Sequence, residues 1–210
     1  MKKIDYTRIT TLIFDFGGVL YQIDPERTYR ELIAKSGCPE KLADKSIFTD
    51  EGTIFTDYET GNISSEHFRR NVINDFCLSV SEDEFDVLWN TLLISMYPDV
   101  LVNLKEFALN YKLLLLSNTN EIHYACFGKE CEELFGLFNK LYLSFQIGLR
   151  KPKTNIFKHV LNDSALNPNE CLFIDDSEIN IIGAEKVGIS AVLFDYTDGF
   201  KKLKNKLPIL

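Results

Sequence analysis

Five short apolar runs constrain what this chain can fold into. They lie at residues 11–16 (TLIFDF), 112–117 (KLLLLS), 140–144 (KLYLS), 171–175 (CLFID) and 191–194 (AVLF). None alternates apolar with polar residues, as a strand with one wet face must. Near-continuous apolar strands separated by helical stretches predict a parallel sheet covered on both faces, a Rossmann-like α/β core.

One stretch breaks the alternation. From about residue 23 to residue 97 the pattern predicts helices and no strand. Asp24-Pro25 opens one helix, with Asp as N-cap and Pro at the first helical position. Ser64 or Ser65 opens another, with Phe68, Val72 and Phe76 on one face. Ser81 and Glu84 form a capping box, Val80 and Phe85 a hydrophobic staple, and Phe85, Leu88, Trp89 and Leu92 an apolar face that runs to Met96-Tyr97-Pro98. The predicted organisation is an α/β core over residues 1–22 and 98–210 with an inserted all-helical cap over 23–97. A length of 210 residues suits one domain carrying such an insertion.

The net charge of −8 argues against a reader of nucleic acid or an anionic membrane surface, either of which needs clustered cations. The basic tail at residues 201–206 (KKLKNK) reads as solvated surface. No run approaches the roughly 20 apolar residues of a membrane span, and Lys2 and Lys3 are followed by no apolar stretch of a signal peptide. Cys38, Cys77, Cys126, Cys131 and Cys171 include no CxxC pair. Their odd number suits reduced, buried thiols and a cytoplasmic protein. A monomer is the default expectation.

Chemistry gathers where the apolar runs end. In open α/β sheets, ligands bind beyond the carboxyl ends of the strands. Asp15 stands at the end of the first run, before Gly17-Gly18, as a nucleophile, a metal ligand or simply a turn cap. Ser117 ends the second, followed by Asn118-Thr119-Asn120, which suits an anion's oxygens or a helix N-cap. Lys151, held extended by Pro152, follows the third and competes with Arg150 for the role of charge neutraliser. Asp175-Asp176 ends the fourth. Adjacent carboxylates there call for a hard cation such as Mg²⁺, unless Asp176 merely caps the following helix.

Asp, Ser, Lys and Asp-Asp at successive strand ends resemble the haloacid dehalogenase-like hydrolase superfamily over essentially the whole chain. The matching segments are Asp15-Phe16-Gly17-Gly18-Val19-Leu20, Leu116-Ser117-Asn118-Thr119-Asn120, Lys151-Pro152 and Asp175-Asp176-Ser177. The LSNTN stretch, YLSxxxGxRKP from Tyr142 to Pro152 and DDxxxN (Asp175, Asp176, Asn180) are similar to the bacterial sugar-phosphatase branch that includes α-D-glucose-1-phosphate phosphatase. The resemblance implies an Mg²⁺-dependent phosphomonoester hydrolase acting on a small sugar phosphate. Asp15 would form an aspartyl-phosphate. Asp15, the Gly17 carbonyl, Asp176 and Asp175 would serve the metal, with Asp175 as ligand or support. Ser117, the Asn118 backbone and Lys151 would hold the phosphoryl oxygens.

One position departs from the superfamily pattern. The residue two after the nucleophile, usually an Asp that protonates the leaving oxygen, is Gly17. Either Asp24 donates that proton from the cap, against its simpler role as N-cap, or the substrate is a sugar 1-phosphate whose anomeric oxygen leaves with less help. His67 and His159 fall within helices, whereas His123 follows the Ser117 loop closely enough to approach the site. Phe16, Tyr21, Phe55, Tyr58 and Trp89 are candidate pocket walls. Two other functions remain open on these residues: a 2-haloacid dehalogenase, whose leaving halide needs no proton, and a catalytically weak phosphate-binding regulator.

Overall fold

The computed structural model describes residues 4–208; Lys2 and Lys3 lie outside them. Strands β1 (Thr11–Phe14), β4 (Lys112–Ser117), β5 (Lys140–Leu143), β6 (Cys171–Asp175) and β7 (Ser190–Leu193) form one sheet in the order β5-β4-β1-β6-β7. Every neighbouring pair in it is parallel. Each strand matches one of the five apolar runs to within two residues. Alternate side chains explain why the runs carry no polar phase. Leu12, Phe14, Leu113, Leu115, Leu172 and Ile174 fill one core. Ile13, Leu114, Leu116, Cys171 and Phe173 fill another on the opposite face.

Helices α5 (Val100–Ala108), α6 (Glu121–Phe127), α7 (Glu132–Phe135), α8 (Ser144–Ile147), α9 (Thr154–Asp163), α10 (Glu178–Glu185) and α11 (Gly199–Lys206) connect and cover these strands. No helix among the described residues is long and apolar enough to cross a membrane. Residues 201–206 belong to α11, which buries Leu203 and points Lys202 and Lys204 at Asp198 and Glu106.

Between β1 and β4 the chain builds a second body from α1 (Pro25–Lys35), α2 (Ile54–Glu59), α3 (Ser65–Asp75) and α4 (Glu82–Trp89). Its helices start where capping chemistry places them. Asp24 accepts from Arg27 N, Ser64 from His67 N, and Ser81 and Glu84 close a complete capping box. Phe55, Tyr58, Phe68, Val72 and Phe85 form its own core.

The expectation of helix alone over residues 23–97 requires a correction. The helix carrying Trp89 stops there, and β3 (Leu93–Met96) pairs antiparallel with β2 (Tyr21–Ile23) as a two-stranded stem under the helices. A four-residue run such as LISM is too short for periodicity to separate strand from helix end; its partner across the sequence decides it. The cysteines are free, but Cys77 and Cys126 are exposed rather than buried. Cys38 Sγ lies 2.7 Å from Cys77 Sγ.

Candidate active site

The carboxyl ends of β1, β4 and β6 converge with the loop after α8 on one buried cation. Lys151, 2% exposed, places Nζ 2.6 Å from Asp15 Oδ1 and 2.7 Å from Asp175 Oδ2. Burial works against its charge, but the two carboxylates outweigh that and hold its pKa above the ordinary lysine value. Asp15 shifts upward to about 7, driven first by burial, with Asp175 and Asp176 adding to it against the pull of Lys151. Arg150, the competing cation, turns away: Nε meets Glu59 Oε2 at 2.6 Å and Nη1 donates to the Thr49 carbonyl, both in the inserted body.

The two adjacent aspartates differ. Asp175 is fully buried. Its Oδ1 accepts from Ser177 N and Asn180 Nδ2, and its Oδ2 from Lys151 and the same Asn180 amide. Asp176 does not cap α10 and receives no side-chain donor among the described residues. Burial and Asp175 raise its pKa. One oxygen from each of Asp15, Asp175 and Asp176 lies within 4.8 Å of the others. Three carboxylates against one ammonium leave a negative excess, and an all-oxygen donor set of this kind fits a hard divalent cation. Gly18, at φ +77°, makes the approach possible: a Cβ there would sit 2.1 Å from Asp176 Oδ2.

Two further side chains set the loops. Asn118 Oδ1 accepts from Lys151 N and its Nδ2 donates to the Lys151 carbonyl, a reciprocal clamp that fixes where Lys151 starts. The Lys151–Pro152 peptide is cis. Ser144, completely buried, donates to the Thr119 carbonyl and accepts from Thr119 N. Ser117 is buried, its hydroxyl making among the described residues only a long contact to the Asn118 carbonyl, while Asn120 caps α6. Ser117 is therefore not spent as a cap. Ser144 and Asn180 stand inside the YLSxxxGxRKP and DDxxxN motifs, which by themselves give them no role; their partners lie 25 and 5 residues away.

Above this edge a cavity of about 400 Å³ opens between the two bodies. Ile23, Phe55, Trp89 and Leu92 supply apolar wall, and Asn118, Thr119, Asn120 and His123 floor it from the core side. Phe55 and Trp89 are pocket walls as expected. Phe16 and Tyr21 are not, because they stack with Phe127 in the sheet core. Tyr58 is buried in the helical body, where its hydroxyl accepts from Ile122 N. Asp24 keeps its capping role and faces Arg30 rather than the cavity. At Gly17, a Cβ would stand 3.0 Å from Ile23 Cδ1, so an apolar side chain occupies the space beside the glycine.

A parallel sheet with this strand order and acidic edge, below an inserted helical body, defines a class that the sequence comparisons make explicit. Residues 9–188 match the haloacid dehalogenase-like hydrolase family. The chain belongs to that family. It is 34% identical over 191 residues to the D-ribitol-5-phosphate phosphatase of Bacteroides thetaiotaomicron, covering 84% of this chain and 88% of that one. A HAD family enzyme from the same organism, solved with magnesium and inorganic phosphate, superposes with a TM-score of 0.79 at 32% identity, covering 93% and 98% of the two chains. A HAD-like family hydrolase of Porphyromonas gingivalis gives 0.82 at 27% identity, covering 95% and 97%.

Proposed function

We propose that this protein is an Mg²⁺-dependent phosphomonoester hydrolase acting on a small sugar or polyol phosphate. The observation that carries this reading is the buried Lys151 between Asp15 and Asp175, beside an Asp176 carboxylate that receives no side-chain donor among the described residues. Phosphoryl transfer needs positioning and neutralisation of charge, and a fixed ammonium in a dry pocket supplies both. The metal and phosphate recorded with a structural relative support the same reading.

Asp15 attacks phosphorus and the ester oxygen leaves, giving an aspartyl-phosphate; water then cleaves that acyl phosphate and regenerates Asp15. Lys151, Ser117 and the Asn118 N–H hold phosphoryl oxygens. Asp15, the Gly17 carbonyl and Asp176 would hold Mg²⁺, which when bound neutralises charge on the transferring group. Asp175, saturated by its own donors, positions Lys151 rather than reaching the ion. Residues 1–22 and 98–210 act as the hydrolase core and 23–97 as its cap. The substrate is a small metabolite, as the −8 charge and the modest cavity favour; free thiols suit a cytoplasmic protein, and a monomer is the default state.

The leaving oxygen finds no acid at Gly17, and Asp24 is occupied. This favours an ester that departs with little help, a sugar 1-phosphate of the kind handled by the glucose-1-phosphate phosphatase branch. The activity named for the 34%-identical relative favours a primary alcohol, a pentitol 5-phosphate. Phosphate release from both ester types, with and without Mg²⁺, tests the reading. Turnover that needs Mg²⁺ and vanishes in Asp15→Asn supports it; equal activity in the mutant overturns it. Faster 1-phosphate cleavage supports the leaving-group argument, and a clear preference for the primary ester sinks that argument alone.

A further inference from the structure

Resting on that reading, we propose that His123 recognises a hydroxyl of the substrate's carbon chain through Nε2, with the ring set for this contact by the closed helical body. His123 sits on α6, one turn beyond the Ser117–Asn120 loop. Its ring lies flat on the Trp89 indole, with centroids 5.3 Å apart and an interplanar angle of 4°. Nδ1 stands 3.0 Å from Asn90 Oδ1, which, as an acceptor, selects the tautomer protonated at Nδ1. Both Trp89 and Asn90 belong to the opposite body. The residue is 6% exposed and lines the cavity. Among the described residues, Nε2 has no partner.

Most other polar groups around the cavity are committed, the buried Trp89 Nε1 excepted. Arg150 is held by Glu59 and the Thr49 carbonyl, and Lys45 by Glu26. Thr28 bonds Thr91, and Tyr29 donates to the Leu42 carbonyl. Asn118 is spent on Lys151, and Asn120 Oδ1 on the start of α6. His123 Nε2 is therefore an acceptor on a cavity-lining residue with no partner among the described residues, and the Trp89 Nε1 donor beside it is likewise without one.

Burial drives the imidazole down to about 3, so it stays neutral at physiological pH. That excludes a role as proton donor to the leaving oxygen and leaves hydrogen-bond acceptance from a neutral O–H. The walls match such a ligand. Phe55, Trp89 and Leu92 suit the C–H faces of a short polyol, and Asn118 joins the cavity to the phosphate end.

The test compares wild type, His123→Asn and His123→Gln on a pentitol 5-phosphate and on phenyl phosphate, whose leaving group carries no hydroxyl. An Asn amide reaches the Nδ1 position and keeps the Asn90 contact but withdraws from the cavity; a Gln amide reaches the Nε2 position. His123→Asn is expected to raise KM for the pentitol ester and cut the pentitol-to-phenyl ratio of kcat/KM about tenfold, the worth of one hydrogen bond of the stronger kind. His123→Gln should hold that ratio within about threefold of wild type. The ratio does not depend on how much enzyme folds, so partial unfolding leaves it unmoved. An unchanged ratio in His123→Asn, or an equal fall in both variants, overturns the His123 role and leaves the hydrolase reading standing. Wild type that cleaves neither of these esters nor a sugar 1-phosphate overturns both.

Discussion

The edge of the sheet and the seam beneath the helical body are held by different physics. At the sheet edge, charges are sealed. Lys151 and Asp175 are essentially inaccessible, and each is fixed by several partners arriving from other strands or loops. At the seam, contacts are single and mixed. Tyr58 accepts one N–H from Ile122, Ser65 Oγ donates to Glu121, His123 stacks on Trp89, and Arg150 pairs with a Glu59 side chain that is 25% exposed. The first arrangement tolerates no movement without leaving a charge unpaired. The second can part and re-form, losing a hydrogen bond at a time. A site that must both hold a phosphoryl group rigidly and admit a metabolite needs one region of each kind.

The contrast is sharpest at Lys151. Lys151→Met leaves Asp15 and Asp175 facing each other without a cation. It should lower stability by about 3–5 kcal/mol in denaturant titration and abolish turnover. Asp15→Asn in the same chain removes one of the stranded charges, so the double variant should recover part of that loss. Strict additivity of the two changes would break the account of a coupled charge cluster.

Gly18→Ala ranks next. The left-handed backbone and the Asp176 oxygen 2.1 Å from the new Cβ should together cost up to about 3 kcal/mol. On the reading that Asp176 serves the metal, the Mg²⁺ concentration for half-maximal activity should also rise about tenfold or more. A full loss of stability with an unchanged Mg²⁺ requirement would separate Asp176 from the metal.

His123 probes the seam through pH. Its folded-state pKa, lowered to about 3, lies below the 6.5 of the unfolded chain. Above 6.5 both states are neutral and the residue adds no pH dependence. As pH falls below 6.5 the unfolded state alone takes up the proton, so stability should fall by about 1.4 kcal/mol per unit until roughly pH 3. At pH 5 that is about 2 kcal/mol. His123→Gln should flatten this acid limb in melts at pH 7 and pH 5; an unchanged slope would mean that the seam already opens to water in the folded state.

What the amino-acid sequence discloses divides along the same line. Asp15, Ser117 and Asp175-Asp176 are legible because each stands at the end of an apolar run that announces its strand, and Lys151 because Lys151-Pro152 follows the third run. The sheet follows from the same runs. The seam is not legible in that way. Glu59 meets Arg150 across 91 positions and Tyr58 meets Ile122 across 64, and no local pattern marks either pair. Strand β3 escapes for the same reason, since only its pairing with Tyr21–Ile23 distinguishes it from the tail of a helix. His123 lies between the cases: its place after the Ser117 loop is visible, but the Trp89 and Asn90 contacts that orient it are not.

The smallest effects belong to the Arg150–Glu59 pair, and their asymmetry carries the information. Burial raises the Glu59 pKa although Arg150 and Lys151 both pull it down, so the carboxylate gains little by being charged there. Glu59→Gln keeps the shape, removes the desolvated charge and leaves Arg150 its bond to the Thr49 carbonyl. It should cost about 1 kcal/mol or less. Arg150→Met strands Glu59 instead and should cost more, about 1–2 kcal/mol at neutral pH, easing as the carboxyl protonates in acid. In both variants KM should rise a few-fold with kcat nearly constant, because the pair holds the two bodies together without touching the phosphoryl group. Equal costs for the two substitutions would mean that the pair contributes as a surface ion pair. A fall in kcat instead of a rise in KM would mean that Arg150 transmits its position to Lys151, its neighbour in the chain, and that the seam and the sheet edge are one mechanical unit.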